Sequence, residues 1–345
     1  MVTHIDKHWN MVGVYSATHF FVDFACAFLM FRSIAGTPES YLCVLFYNFC
    51  AFAMQMPLGI IADKINRNSF FAIFGCVLVG LAYGFVHIPI AAVIIIGIGN
   101  AMFHIGGGID VLNISDKKLA PLGIFVAPGA FGIYYGAMLG KGSDLSAIFI
   151  PLALIAVAAL IFISYRAQRE TYPKNATFSL DGIHSLHIPI AISCLFCVVF
   201  LRSFVGLELD FPWKGIGYFG TVLVCAVVFG KIIGGFAADR FGVAKTSFFS
   251  LGIATTLFLF PMIPLAGATA VLLFNMTMPI TLWALVKTLP GAKGFAFGLL
   301  TFGLFLGFLP KYLNVEILTE TSFLVAVLAA GSLVLLLVGI RMAKL

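Results

Sequence analysis

Long apolar stretches alternate with short polar segments along the whole chain. Most of these stretches approach the roughly 20 residues that a helix needs to cross the hydrocarbon core of a bilayer. Breaks at proline, glycine and charged clusters predict twelve membrane-spanning helices, at residues 11–32, 40–62, 69–87, 88–112, 119–140, 145–165, 187–209, 215–238, 246–260, 262–286, 294–313 and 322–341. The connections are too short to hold another domain, so we expect an all-α integral membrane protein.

The composition favours the same class. Hydrophobic residues make up 61% of the 345 residues and charged residues 10%, against about 25% charged in a soluble domain. The net charge of +6 is not concentrated in one solvated segment, so it does not indicate nucleic-acid binding. All seven cysteines lie in apolar runs, where we expect them to pack as small hydrophobic side chains.

Lysine and arginine are enriched in the cytoplasmic loops of membrane proteins. With a cytoplasmic N-terminus, fourteen of these residues fall on the inner side of the predicted spans and four on the outer side. The four on the outer side are Arg32, Lys141, Lys214 and Lys311. This bias predicts cytoplasmic N- and C-termini and a location in the inner (plasma) membrane of the cell.

Two segments with one pattern follow the second span of each half of the chain. The first, "QMPLGIIADKINRN", contains Asp63, and the second, "GKIIGGFAADRFGVAK", contains Asp239. The two aspartates are 176 residues apart, which is about half the chain. This spacing predicts a duplication with parallel topology. The predicted parts are a six-helix bundle at 1–165, a cytoplasmic linker at 166–186 and a second six-helix bundle at 187–345.

The repeated pattern, Gly-x-x-x-Asp followed by basic residues, resembles the signature loop of the major facilitator superfamily. The second copy matches well, whereas the first has Asn66 where glycine is usual. The resemblance covers the whole chain and implies a cytoplasmic gate that closes in one state of an alternating-access cycle. A carboxylate at such a position can cap the N-terminus of a neighbouring helix. The predicted gate residues are Gly59, Asp63, Lys64, Arg67, Asp110, Gly235, Asp239, Arg240, Gly242 and Lys245.

Three further segments resemble the fosmidomycin-resistance-like branch of that superfamily. They are "SATHFFVDF" in the first span, "GIGNAMFHIGGG" in the fourth and "GIFVAPGAFG" in the fifth. Ile105 stands where a proline often follows the histidine in that branch. The branch implies efflux, and the fifth-span segment partly matches the superfamily's antiporter motif.

Ionisable side chains inside membrane spans are costly unless they face a cavity or a partner, so each is a functional candidate. His19 and Asp23 lie four residues apart on the first span and therefore on one helix face. We interpret Asp23, assisted by His19 and by His104 of the fourth span, as the proton-coupling site. Arg202 and Lys231, on the seventh and eighth spans, would attract an anionic or strongly polar solute. The predicted substrate-binding residues are Arg202, Lys231, Gln55 and Asn100.

Structural interpretations of the same residues stay open. Asp23 and Arg202 would also be explained by a permanent interhelical ion pair. His19 and His104 would also be explained by interhelical hydrogen bonds without a role in proton transfer.

Together these features predict a secondary active transporter, coupled to protons, that moves a small polar or anionic solute or drug by alternating access. Export by antiport is slightly favoured over uptake of an organic anion by proton symport. A transporter-like membrane sensor and an integral-membrane enzyme are the alternatives from other classes, and the sequence has no catalytic motif that favours an enzyme. We expect a monomer in the lipid bilayer whose partners are protons and a small-molecule substrate, with no cofactor, metal ion or nucleic acid.

Overall fold

A computed structural model describes residues 4–115, 117–168, 172–177, 186–315 and 322–345. Asp116, Arg169 and most of the predicted linker at 166–186 lie outside these residues. The described residues form fifteen α-helices: α1 His4–Leu29, α2 Ser40–Asn48, α3 Gln55–Ile65, α4 Asn68–Leu81, α5 Pro89–Ser115, α6 Ala120–Val126, α7 Pro128–Gly142, α8 Phe149–Gln168, α9 His187–Glu208, α10 Phe219–Phe241, α11 Val243–Leu257, α12 Pro264–Asn275, α13 Met278–Thr288, α14 Lys293–Tyr312 and α15 Ser322–Met342.

Several helices continue one another through short irregular turns, so that eleven segments of the described chain are long and apolar enough to cross a membrane. For example, α2 and α3 form one such segment, Ser40–Ile65, through a π-helical turn. The predicted ninth span, 246–260, overlaps α11, which has 15 residues and lies three residues earlier in the chain. That length is shorter than the roughly 20 residues of a full crossing. The all-α membrane class is confirmed, whereas the count of twelve spans stays a prediction.

Proline begins several of these helices, because its missing N–H and fixed φ suit the first helical turn. Pro89 begins α5 and Pro264 begins α12, as the sequence breaks predicted. Pro128 restarts the chain as α7 after the bend that ends α6. The bend at Pro128 determines the site described below, because it places the carbonyl of Phe125 beside α1.

The chain divides into two compact units. The first comprises Met1–Asp116, Ile124–Thr177 and Gly291–Leu299. Within it, α1 packs against α5, α7 and α8, and α4 packs against α5 and α8. Its largest fully buried side chains include Tyr15, Phe28, Phe103 and Phe125.

The second unit comprises Lys117–Gly123, Phe178–Pro290 and Leu300–Leu345. In this unit α9 packs against α13 and α15, while α10 packs against α11, α12 and α13. Both units carry many large apolar side chains on their surfaces, including Phe74, Ile163 and Phe249, which are 52%, 63% and 62% exposed. A soluble protein rarely exposes apolar patches of this extent, so these faces are suited to lipid.

Candidate functional site

A cluster of ionisable side chains lies inside the first unit. His19 and Asp23 project from one face of α1, and His104 approaches them from α5. The Nε2 of His19 lies 3.2 Å from Asp23 Oδ2, and the Nε2 of His104 lies 3.7 Å from Asp23 Oδ1. The two histidine Nε2 atoms are 2.9 Å apart. His19 and Asp23 are 6% and 7% exposed, so the three groups interact with little screening by water.

The other ring nitrogen of each histidine contacts a backbone carbonyl. His19 Nδ1 lies 2.7 Å from the carbonyl oxygen of Phe125, and His104 Nδ1 lies 2.9 Å from that of Asn100. A carbonyl oxygen only accepts hydrogen bonds, so both Nδ1 atoms are donors. The 2.9 Å contact between the Nε2 atoms then needs a proton on one of them. The geometry therefore fits a doubly protonated histidine beside the Asp23 carboxylate.

Two further residues shape this cluster. Asn100 of α5 donates through Nδ2 to Asp23 Oδ1 at 3.0 Å and to the sulfur of Cys26 at 3.4 Å. Gly129 of α7 faces the cluster, where a Cβ would lie 2.7 Å from His19 Cδ2 and would overlap the Asp23 carboxylate. Asn100, predicted to bind substrate, thus orients the predicted proton-coupling aspartate, and Gly129 leaves the space that the cluster fills.

The same three side chains have the donor types and spacing that a divalent transition-metal cation requires. One ligand atom from each of His19, Asp23 and His104 lies within 4.8 Å of the others. A tetrahedral Zn²⁺ with bonds of about 2.0–2.1 Å would hold its donors about 3.3 Å apart. Histidines that bind metals commonly donate their second ring nitrogen to a carbonyl or carboxylate, as both histidines do here.

Arg202 lies in the second unit, on α9. Its guanidinium donates to the hydroxyls of Thr277 and Thr281 at 2.8 and 3.2 Å, and its buried Nε has no partner among the described residues. The indole Nε1 of Trp283, on the same helix as Thr281, is also buried, and the part of the chain that the structure describes offers it no acceptor. The sequence did not single out these threonines or the tryptophan, because their types are unremarkable in an apolar helix.

Two further predicted substrate residues are buried, one in each unit. Lys231 is buried in α10 of the second unit, at 8% exposure. Gln55 is buried in the first unit, at 1% exposure, and donates to the carbonyl of Ala51 at 2.6 Å. Its side-chain oxygen accepts no hydrogen bond from any described residue. Gln55 therefore retains an acceptor, whereas the buried atoms without partners on Arg202 and Trp283 are donors.

Both copies of the repeated motif make the same kind of contact. Asp63 accepts the amides of Gly294 and Phe295 at 2.8 and 3.0 Å, and so caps the start of α14. Asp239 accepts the amides of Leu119 and Ala120 at 2.8 and 2.9 Å, and so caps the start of α6. Each carboxylate satisfies two amides that a helix start leaves unpaired and lies at the positive end of the helix dipole.

The motif glycines make these caps possible. A Cβ on Gly59 would overlap the backbone of Gly294, and a Cβ on Gly235 would lie 2.8 Å from the carbonyl oxygen of Leu119. In each copy the glycine lets the helix backbones touch, and the aspartate one turn later reaches the amides. The same close contact between helices therefore requires both the glycine and the aspartate of the motif.

The residue directly after each helix that carries the motif, α3 in the first copy and α10 in the second, has a positive φ. Gly242 has a φ of +89° and Asn66 has a φ of +54°. Left-handed backbone is accessible to glycine and, among the other residues, most readily to asparagine and aspartate. Asn66 therefore fills the role of the usual glycine in the first copy. The motif cations Lys64, Arg67, Arg240 and Lys245 are exposed, and none has a hydrogen-bond or ion-pair partner in the described part of the chain.

Asp110 is buried at the end of α5 and accepts four hydrogen bonds. Its donors are the hydroxyls of Tyr15, Ser69 and Tyr172, at 2.6, 2.6 and 2.9 Å, and the side-chain amide of Asn68, at 2.8 Å. Burial, together with the neighbouring carboxylate, raises the pKa of Tyr172, so its hydroxyl stays a donor. The sequence indicated Asp110 but none of these donors, which come from α1, α4 and the segment after α8.

No protein-family model matches the chain, and no curated protein sequence matches it. Solved structures do. The major facilitator superfamily transporter FucP in its outward conformation aligns with a TM-score of 0.63 at 14% identity, over 94% of this chain and 98% of that chain. A variant of the E. coli fucose:proton symporter FucP aligns with 0.63 at 13%, over 94% and 97%. A bacterial homologue of the iron transporter ferroportin in an outward-facing state aligns with 0.64 at 14%, over 97% and 100%. The chain therefore has the fold of major facilitator superfamily transporters.

Proposed function

We propose that the protein is a secondary active transporter of the major facilitator superfamily, with twelve spans and cytoplasmic termini in the plasma membrane. The halves would be 1–165 and 187–345, joined by the linker 166–186. The fold supports this proposal, and so does the excess of basic residues in the loops assigned to the inner side. The resemblance to the fosmidomycin-resistance-like branch and the expectation that the protein is not an enzyme stay predictions.

The paired caps are the observation that carries the proposal. Asp63 and Asp239, 176 residues apart, each hold the first amides of a helix that lies far from them in sequence. We interpret both caps as parts of a cytoplasmic gate that forms in one state of the cycle and opens in the other. A carboxylate that binds two backbone amides suits this role, because the bonds can break without burying an unpaired charge once water reaches them.

Proton coupling is assigned to the cluster of His19, Asp23 and His104. In this proposal a proton lies between the two histidine Nε2 atoms, which are 2.9 Å apart, and the adjacent Asp23 carboxylate stabilises the positive charge. Loss of that proton would leave two lone pairs facing each other at 2.9 Å, and the rings would have to separate. Proton release is thereby linked to movement of α1 against α5. The similar fold of a fucose:proton symporter agrees with proton coupling.

The proposed substrate class rests on Arg202 in the second unit. Among the described residues its buried Nε has no acceptor, and a buried donor without a partner costs free energy. A solute with carboxylate, phosphate or hydroxyl oxygens would supply the missing acceptor. Export by antiport is slightly favoured by the antiporter-like fifth span, and uptake by symport is the alternative.

The experiment measures proton flux in liposomes that hold the purified protein, against a panel of organic anions, amphiphilic drugs and neutral metabolites. A substrate-dependent pH change is expected, and its sign separates antiport from symport. Asp23→Asn should abolish proton-coupled movement while substrate binding stays measurable. His87→Ala, on an exposed histidine outside the cluster, is the control. Normal uphill transport by Asp23→Asn would remove Asp23 from the coupling site.

A divalent transition-metal cation is a second candidate substrate. The donor set of His19, Asp23 and His104 supports it, as does the similar fold of a homologue of an iron transporter. The purified protein would be titrated with Co²⁺, whose visible absorption reports tetrahedral nitrogen and oxygen ligands. Absorption that appears in the parent and in His87→Ala but is lost in His104→Ala would favour this candidate. The same weak spectrum in all three would exclude the cluster as a metal site.

A further inference from the structure

The second unit contains a groove of about 380 Å³ between α10, α11 and the end of α12. Its walls are almost wholly apolar and include Phe241, Phe249, Ile253 and Leu273. Phe241 and Phe249 are 64% and 62% exposed, so the groove opens on the outer surface of the unit. Along α11 it extends from Lys245 to Ile253, which is about 12 Å at 1.5 Å per residue.

One end of this groove is basic. Lys245 lines it, and Arg240 lies one turn earlier in the chain, before the reversal at Gly242. Both side chains are exposed, and the described part of the chain offers neither an anionic partner. These are the two cations of the second motif copy. Asp239 accepts the amides of Leu119 and Ala120 and makes no ion pair with either cation.

A buried hydroxyl marks the same end. Thr246 lines the groove at 6% exposure, and its Oγ1 has no hydrogen-bond partner within the described ranges of the chain. Buried hydroxyls are normally hydrogen-bonded, so the Thr246 hydroxyl can still donate to an acceptor on a ligand. An apolar channel, two cations without partners and an unsatisfied hydroxyl at one end together describe a ligand with a hydrocarbon tail and an anionic head.

We propose that this groove binds an anionic phospholipid of the bilayer leaflet that faces the basic loops. One acyl chain lies along α11 between Phe249 and Leu273. The phosphate is held by Lys245 and Arg240, and the Thr246 hydroxyl donates to a head-group oxygen. Loop cations at a membrane surface attract anionic lipids, and the apolar walls match an acyl chain. This inference rests on the geometry of the second unit and is independent of the substrate that the protein carries.

Binding is tested by native mass spectrometry of the full-length protein in detergent, titrated with phosphatidylglycerol or with phosphatidylcholine of the same chains. We expect tighter binding of phosphatidylglycerol, and Lys245→Ala should weaken it about fivefold. Lys214→Ala is the matched control, because it removes the same charge from an exposed lysine of the same unit, away from the groove. Equal weakening by both variants would show diffuse attraction to charge and overturn the site.

Two further measurements separate the parts of the proposal. Ala237→Phe fills the apolar channel and should weaken phosphatidylglycerol binding even though both cations remain. Soluble glycerol phosphate, which has the head group without chains, should not compete. If glycerol phosphate competes as well as the lipid, the basic end takes free phosphate and the lipid assignment is wrong. Equal affinity for the two lipids would also refute it.

Discussion

Gly129→Ala tests whether the coupling cluster needs the space that a glycine leaves. The new Cβ would lie 2.7 Å from His19 Cδ2 and would overlap the Asp23 carboxylate, whereas ordinary contacts begin at 3.4 Å. The cluster must therefore move by at least about 0.7 Å. Overpacking of this kind costs about 1–3 kcal/mol, and a displacement of that size breaks the short contact between His19 and His104.

The expected result is a modest loss of stability with a large loss of coupling. Thermal unfolding in detergent should show an unfolding free energy that is lower by about 1–3 kcal/mol. Substrate-driven proton flux in liposomes should fall at least about tenfold, the factor that corresponds to a loss of about 1.4 kcal/mol. Gly13→Ala on α1 is the control, because a Cβ there meets nothing within 4 Å. Gly132→Ala would instead strike the backbone of α1 at Phe20 and should destabilise the fold more. If Gly129→Ala retains the coupling of Gly13→Ala, the cluster is not the proton site.

Four further variants test the motif segments and the Asp110 site. Asp63→Asn removes the charge from the cap of α14, which should weaken the cap by about 1–2 kcal/mol. Hydrogen–deuterium exchange of the Gly294 amide should therefore accelerate about 5- to 30-fold. An unchanged exchange rate would contradict the cap. Gly242→Ala should lower the unfolding free energy by about 1–2 kcal/mol, because Gly242 has a positive φ. Asn66→Gly should leave the unfolding free energy unchanged within about 0.5 kcal/mol. Equal losses in the two variants would contradict the explanation by positive φ. Tyr172→Phe removes one of four donors to a buried carboxylate and should cost about 1–3 kcal/mol in unfolding free energy, and no loss would show that water replaces the hydroxyl.

The sequence by itself determined the class of the protein and the position of most helices. Long apolar runs must become helices in a bilayer, because a spanning backbone has to satisfy its own hydrogen bonds. The break at Pro89 was predictable for the same reason that Pro begins helices elsewhere. The repeat of Asp63 and Asp239 was visible in the sequence because a repeated motif is recognised by its residue types and spacing alone, without any knowledge of contacts. The predicted ninth span, 246–260, is as short as the 15-residue α11, but it starts three residues later than the helix, because charge and proline positions mark a helix end only approximately.

Only the tertiary structure decided what these residues touch. His19 and Asp23 could be placed on one helix face from their spacing, but His104 joins them across 85 residues of chain. The contact between Asn100, which stays a predicted substrate ligand, and Asp23 is likewise visible only in the structure. The amides that Asp63 and Asp239 cap lie 231 and 120 residues away. Such contacts depend on how helices pack, and packing is set by many weak apolar contacts that no short motif records. A sequence therefore reveals which groups are costly to bury, and the packed structure reveals which partner offsets that cost.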